Sequence, residues 1–256
     1  AYFKAKGEGH RSHIVGRERG YHGMNIGGIS VGGMVANRKA FSNILMPNVH
    51  HLRHTHLKEN LFVKGEPETG AYLADDLDRI AANIGGENIA ACIVEPIAGS
   101  TGSLVPPKGY LKRLREICDK HGILLIFDEV ITGWGRTGEP FAAQSFDVTP
   151  DIITMAKGIT NGVMPLGAVA SRESIYDTLL DASPTGAIEF FHGYTYSAIP
   201  PCIAAGLAMQ EIIKKENLFE RSKNMSPYFL DGLFSLKDID IITDIRGYGM
   251  LGGIDI

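Results

Sequence analysis

Three charged residues stand directly after short apolar runs, a position where polar side chains often do chemistry. Glu95 follows CIV, Asp128 follows LLIF and Lys157 follows IITMA. Ligands of open α/β sheets bind beyond the carboxyl ends of the strands, so we expect the three side chains to share one site. A buried lysine needs an opposite charge or a shifted pKa, and a desolvated lysine can form Schiff bases. The spacing therefore predicts a site for a polar, reactive ligand.

Two plainer interpretations stay open from these residues alone. Lys157 would be unremarkable if its strand simply reached solvent, and the three charges would also fit a buried ion network that only stabilises the fold. A lysine that faces an aspartate across such a crevice is nevertheless typical of pyridoxal 5′-phosphate chemistry. There the lysine holds the cofactor aldehyde, and the carboxylate keeps the pyridine nitrogen protonated.

The apolar runs alternate with helical patterns, which favours an α/β fold. The segment PPKGYLKRLREICDKHG has apolar residues at helical spacing and ends at Gly122, a residue typical of helix C-caps. The run at 123–129 is continuously apolar, as in a strand that is covered on both faces. We predict a mostly parallel sheet flanked by helices, with strands in 89–96, 123–129, 151–157 and 167–171 and another helix over 198–215.

The chain is predicted to hold one large domain and the beginning of a second. From Asp238 onward the sequence is typical of strand–turn–strand, so we assign 1–237 to a large cofactor-binding domain and 238–256 to the start of a smaller C-terminal domain. The opening AYFKAKG is typical of the last turns of a helix closed by Gly7, and the closing MLGGIDI stops within a predicted strand. We therefore expect an internal fragment of a longer protein.

Composition narrows the class of protein. The chain has 256 residues, 44% of them hydrophobic, and a net charge of −4, which does not favour nucleic acid or an anionic membrane as a partner. No apolar run approaches the length that spans a bilayer. Three widely spaced cysteines without a C-x-x-C pattern suit packed, reduced thiols, and we expect a cytoplasmic protein.

Longer motifs resemble one enzyme family over essentially the whole chain. LLIFDEVITGWGRTG, TPDIITMAKGITNGVMPLGAV and GYHG are similar to motifs of the class III (fold-type I) pyridoxal-phosphate aminotransferases. GRERGYHGMNIGGISVGGMVANR, HLRHTH and EFFHGYTYSAIP resemble the ω-amino-acid:pyruvate, or β-alanine:pyruvate, branch of that family. The motifs also occur in the family's order.

The resemblance implies catalytic roles for two of the charged residues. Lys157 matches the Schiff-base lysine, whose amine, once released by the substrate, moves the proton between the substrate and the cofactor. Asp128 matches the acid that pairs with the pyridinium nitrogen. Val130 matches the aliphatic side chain on one face of the ring. Tyr21 matches the aromatic residue on the other face and is flanked in the motif by His22 and Gly23, although a core aromatic is the plainer interpretation.

Three further positions carry finer expectations from the resemblance. Glu95 matches a glutamate that lines the site and, in some relatives, pairs with a substrate-gating arginine. Thr195 matches the residue that reaches the cofactor phosphate of a neighbouring subunit, which implies a homodimer or larger homo-oligomer; a hydroxyl bonded to backbone is the alternative. Ile131 stands where many class III enzymes have a glutamine that bonds the ring hydroxyl, as is typical of the ω-amino-acid branch.

The expected activity is a ping-pong transfer of an amino group from an ω-amino acid or amine to pyruvate, which gives alanine. A 4-aminobutyrate or ornithine aminotransferase is the nearest alternative, but HGYTYSAIP and Ile131 argue against it. An alternative of another class is a chain that has no activity of its own. The family's Gly-Ser phosphate-binding turn would precede Ala1, and the domain with its substrate-carboxylate arginine would follow Ile256.

A run of histidines raises the possibility of a metal site. The segment HHLRHTH places His50, His51, His54 and His56 within a few residues. It lacks H-E-x-x-H and has no cysteine or carboxylate at a familiar spacing, so we predict a polar loop and no metal.

Overall fold

The computed structural model describes residues 1–256 and contains eight strands and nine α-helices. The strands are β1 (His13–Arg17), β2 (Val49–Leu52), β3 (Ile89–Val94), β4 (Leu124–Asp128), β5 (Ile152–Met155), β6 (Ala168–Ser171), β7 (Asp244–Tyr248) and β8 (Leu251–Asp255). The helices are α1 (Tyr2–Ala5), α2 (Ile26–Val31), α3 (Val35–Ala40), α4 (Asp75–Ile84), α5 (Tyr110–His121), α6 (Ala142–Ser145), α7 (Glu173–Asp181), α8 (Pro200–Lys215) and α9 (Leu218–Phe234).

The six strands β1 to β6 form one sheet in the order β2-β1-β3-β4-β5-β6. All neighbouring pairs are parallel except β5 and β6, which run antiparallel. The carboxyl ends of β1, β3, β4 and β5 therefore meet at one edge of the sheet. The predicted α/β fold with a mostly parallel sheet is confirmed.

One face of this sheet is closed by α4 and α5. Along α5 the buried side chains Leu111, Leu114 and Cys118 recur at helical spacing and face the strands, and Gly122 ends the helix with a φ of 65°. They pack with strand residues such as Phe127 in a single buried cluster. This face supplies most of the apolar burial that stabilises the fold.

The other face is apolar in the middle of the sheet and polar at its carboxyl edge. Ile93, Ile126 and Ile152 lie side by side in the parallel register and are half-buried. Asp128 and Thr154 follow two residues later, are paired in the same register, and therefore share this face. The functional residues discussed below lie at this end of the sheet.

Helix α2 lies close against β1 on this second face. A Cβ atom added to Gly16 would stand 2.0 Å from the carbonyl oxygen of Val31, so only glycine allows this approach. The contact fixes the loop between β1 and α2, which carries Tyr21.

Strands β7 and β8 form a separate antiparallel hairpin that contacts the main body through both apolar and polar groups; the ring of Tyr248 lies 5.0 Å from that of Phe146. Arg246 donates from Nε to the carbonyl oxygen of Gly102 at 2.7 Å and bonds both Asp244 and Asp255. The predicted strand–turn–strand is confirmed, although it begins at Asp244. The division into domains 1–237 and 238–256 remains a prediction.

Strands β1 and β2 were not predicted from the sequence, and the predicted loop around the histidines is partly wrong. His50 and His51 lie in β2, because this segment completes the sheet as its edge strand beside β1. His13 and His50 stack on each other across these two strands, with ring centroids 5.1 Å apart. None of the helices has the length and apolar character needed to cross a bilayer.

We predict that Leu114→Ala lowers the free energy of unfolding by about 2–5 kcal/mol, because it leaves a cavity in the buried cluster under the sheet. Leu207→Ala is the matched control, since Leu207 is 57% exposed and should change stability by no more than about 0.5 kcal/mol. Urea unfolding followed by circular dichroism measures both. Equal losses in the two variants would show that the cluster does not stabilise the fold as described.

Candidate active site

A cavity of about 280 Å³ opens at the carboxyl edge of the sheet. It is lined by the three charged residues that end apolar runs, by residues of the loop after β1 and of the turn after β4, and by one residue each of β3 and β5. The lining residues are Tyr21, His22, Gly23, Ile93, Glu95, Asp128, Val130, Ile131, Thr154 and Lys157. The volume lies near the lower end of the range of about 300–1,000 Å³ found for small-molecule sites. A larger, more apolar cavity near α1 and α7 holds none of these residues.

The Asp128 carboxylate is buried and has two partners. Its Oδ2 lies 2.8 Å from His22 Nδ1, and its Oδ1 accepts from the backbone amide of Val130 at 3.2 Å. The His22 ring is buried as well, and its Nε2 has no partner. A buried carboxylate that is hydrogen-bonded in this way is held in one orientation and can balance a positive charge on a ligand.

Glu95 uses its carboxylate to hold backbone around the cavity. Oε1 accepts from the amide of Tyr21 at 2.8 Å, and Oε2 accepts from the amide of Gly99 at 2.9 Å. The loop that carries Tyr21 and the turn after β3 are thus fixed to the same side chain. No sequence signal indicated this bracing role.

The charge of Glu95 is set by its surroundings. Burial raises the pKa of its carboxyl group, and the two backbone amides and the nearby His22 and Arg17 only partly oppose this. Arg17 is itself fully buried below the site, where it donates to the Glu95 carbonyl oxygen at 2.6 Å and lies over the ring of Tyr110.

Lys157 is the second residue after the end of β5, where the backbone turns away from the strand. Its φ is 47°, in the left-handed region that costs a side-chain-bearing residue roughly 1–2 kcal/mol. The residue is exposed at the open side of the cavity, so the plainer interpretation of a strand that reaches solvent is correct for its exposure. It nevertheless lines the cavity together with Asp128 and Glu95. Backbone strain of this kind is often found at functional sites.

The turn after β4 is shaped by a second buried acid. Glu129 is fully buried and accepts from the amides of Ala142 and Ala143 and from the hydroxyl of Thr132. Burial raises the pKa of its carboxyl group. These bonds fix the turn that places Val130 and Ile131 in the cavity.

The structure brings together all of the residues predicted for the site except Thr195. Thr195 is exposed and does not line the cavity. Two lining residues were missed, Ile93 and Thr154. Each lies a short distance before a predicted site residue, Ile93 two residues before Glu95 and Thr154 three before Lys157, so strand periodicity offered a signal for Ile93 only.

The whole chain, residues 1–256, matches the family model described as Aminotransferase class-III. The ω-aminotransferase of Caulobacter vibrioides is 56% identical over 257 residues, which is 100% of this chain and 58% of that protein. The ω-amino acid–pyruvate aminotransferase of Pseudomonas putida is 50% identical over 100% of this chain and 57% of its own length. The chain therefore spans somewhat more than half the length of the curated relatives that it matches.

Solved structures show the same fold. The ω-transaminase of Pseudomonas jessenii in complex with PMP superposes with a TM-score of 0.91 at 32% identity and covers 100% of this chain and 56% of that one. An (S)-enantioselective ω-transaminase from Thermomicrobium roseum gives a TM-score of 0.91 at 36% identity, with 100% and 56% covered.

We predict that the free energy of unfolding of Glu95→Gln increases, relative to that of the unaltered chain, as pH rises above about 4. Because burial raises the folded-state pKa of Glu95, the folded state holds more protons than the unfolded state as pH rises above the unfolded pKa. The contribution of Glu95 to stability therefore falls as pH rises through its folded pKa. Urea unfolding of both proteins at several pH values measures the difference.

Glu8→Gln serves as the control. Its hydrogen bonds with Lys6 and Arg11 lower the pKa of Glu8, so the stability that Glu8 contributes is lost only below about pH 4. The cost of Glu8→Gln should then stay constant over about pH 5–7. A Glu95→Gln difference that also stays constant would contradict the assigned effect of burial.

Proposed function

The chain belongs to the class III aminotransferase family, and we propose that it transfers an amino group from an ω-amino acid or amine, such as β-alanine, to pyruvate, with pyridoxal 5′-phosphate as cofactor. The observation that carries the proposal is the single cavity in which Lys157 lies with the buried, oriented carboxylate of Asp128. The names of the relatives at 48–56% identity support the choice of substrates.

The residues of the cavity fit this cofactor. Lys157 is the only primary amine in the lining, and Asp128 is an acid whose carboxylate is already held in place. Tyr21 and Val130 offer an aromatic and an aliphatic surface to a planar ring. The unpartnered His22 Nε2 is a further polar atom of this cluster. A related ω-transaminase has been solved with PMP, the amino form of the cofactor.

When bound, pyridoxal phosphate supplies an aldehyde that exchanges with the donor's amino group and a ring that withdraws electrons from the reacting carbon. Lys157 would hold that aldehyde and afterwards move the proton at its own Nζ. Asp128 would stabilise the protonated ring nitrogen, with His22 holding the carboxylate in place. Glu95 keeps Tyr21 against the cavity through the Tyr21 amide.

We also infer that the chain works as a homodimer or larger homo-oligomer. Four aromatic side chains around Thr195 are exposed, by 47% to 84%: Phe190, Phe191, Tyr194 and Tyr196. Contiguous exposed apolar surface is typical of interaction sites. Thr195 would then serve the cofactor site of the neighbouring subunit, in line with its distance from the cavity in its own chain.

We predict that borohydride reduction of the chain mixed with pyridoxal phosphate places a single label on Lys157, as shown by peptide mapping. Lys157→Arg should abolish that label. Asp128→Asn should reduce it about tenfold or more, because the variant removes a charge-assisted contact to the ring nitrogen. Labels scattered over exposed lysines such as Lys64 and Lys223 would contradict the proposed site.

We predict that the double variant Phe191→Ser and Tyr196→Ser shifts the chain from dimer to monomer in sedimentation equilibrium. The reason is that it removes the most exposed part of the aromatic surface around Thr195. Tyr228→Ser is the control, since Tyr228 is 76% exposed on α9 and should leave the mass unchanged. A double variant with the same mass as the unaltered chain would refute the interface.

A further inference from the structure

Thr154 is a polar residue in the cavity for which the proposed chemistry gives no role. It lies in β5, three residues before Lys157, and its register partner in β4 is Asp128. Because paired residues of neighbouring strands point to the same face, Thr154 and Asp128 lie next to each other at the carboxyl edge of the sheet. Both residues line the same cavity.

The Thr154 hydroxyl is shielded from solvent and has no hydrogen-bond partner in the protein. The neighbouring carboxylate does not satisfy it: Asp128 bonds His22 and the Val130 amide, and neither of its oxygens bonds the Thr154 hydroxyl. A buried hydroxyl without a partner costs the fold free energy that an apolar side chain of the same shape would not cost.

The strand itself does not need this hydroxyl. Valine is also β-branched, has nearly the same shape and is well suited to β-strands. The residue two positions earlier on the same face is Ile152, whose register neighbour Ile126 is also apolar. Because this polar group also lines the cavity beside Asp128, it is placed where a ligand could use it.

We propose that Thr154 is a ligand-binding residue whose hydroxyl forms a hydrogen bond with the pyridine-phosphate cofactor, next to Asp128. The inference rests on the proposed function and adds to it a residue that contacts the cofactor. Binding would give the hydroxyl the partner that the protein alone does not provide. Thr154 would then lower the stability of the free chain and raise its affinity for the cofactor.

The test measures affinity for pyridoxamine 5′-phosphate by isothermal titration calorimetry. This form carries an amine in place of the aldehyde, so it does not condense with Lys157 and reports non-covalent binding only. We expect Thr154→Val to weaken binding about fivefold, the effect of one hydrogen bond, and Thr154→Ser to stay within about twofold of the unaltered chain. Thr154→Val should also keep or raise the midpoint of urea unfolding.

Thr55→Val is the matched control. Thr55 is likewise buried with an unpartnered hydroxyl, but it lines a different cavity beside His56 and Arg246. This variant should affect unfolding as Thr154→Val does and leave the affinity unchanged.

Two results would overturn the inference while leaving the proposed function intact. One is unchanged affinity in Thr154→Val. The other is weaker binding by Thr154→Val together with a lower midpoint of urea unfolding, with binding equally weak in Thr154→Ser. That result would assign Thr154 a structural role. If the unaltered chain binds no pyridoxamine phosphate, the proposed function fails and the inference fails with it.

Discussion

The buried carboxylate of Asp128 is the group on which the arrangement of this site depends. A carboxylate taken out of water must be paired or hydrogen-bonded, and Asp128 finds one partner in its own turn and the other in His22, which lies far earlier in the chain. The second contact is possible because β3 alone separates β1 from β4 in the sheet, so that the loop after β1 reaches across the end of β3. Glu95, at the end of β3, bonds the same loop through the Tyr21 amide. The hydrogen bonding of Asp128 therefore depends on the order of the strands in the sheet.

One face of the sheet contributes most of the packing that stabilises the fold, and the other face carries the candidate active site. On the face covered by α4 and α5, apolar side chains pack closely, with the buried guanidinium of Arg17 over the ring of Tyr110 as a polar exception. On the other face, the apolar surface gives way to charged and hydroxyl groups at the carboxyl edge. Unpartnered buried atoms occur on both faces, in Tyr110 on the packed face and in His22 and Thr154 on the other. Such atoms reduce the stability of the free chain, and the packed face compensates for them.

Much of this arrangement could be predicted from the sequence, because its strongest signals are long and periodic. Strands β3 and β4 coincide with continuous apolar runs, and α5 has a clear helical pattern that ends at Gly122. The charged ends of β3, β4 and the turn after β5 were expected to meet, and they do.

Other features could not be predicted, because they depend on how strands align. Strand β2, with the sequence VHHL, sits at the edge of the sheet and shows no alternation that would separate it from a polar loop. The contact between His22 and Asp128 follows from the order of the strands, and the position of Thr154 beside Asp128 follows from their register. Spacing within one strand reveals neither. The bracing by Glu95 likewise involves backbone amides, which leave no trace in residue types.

The same contacts leave the amine of Lys157 without an ion pair in the cavity. The acids in the cavity bond other groups, Asp128 the ring of His22 and Glu95 two backbone amides, and neither forms an ion pair with the lysine. A lysine held in an ion pair keeps its position, whereas an unpaired lysine can reorient within the cavity. Lys157 has a left-handed backbone conformation, is exposed, and lines the cavity together with acids that are fixed by other groups. The site thus combines rigid, internally paired acids with an unpaired amine, a division of roles that a simple buried ion network would not produce.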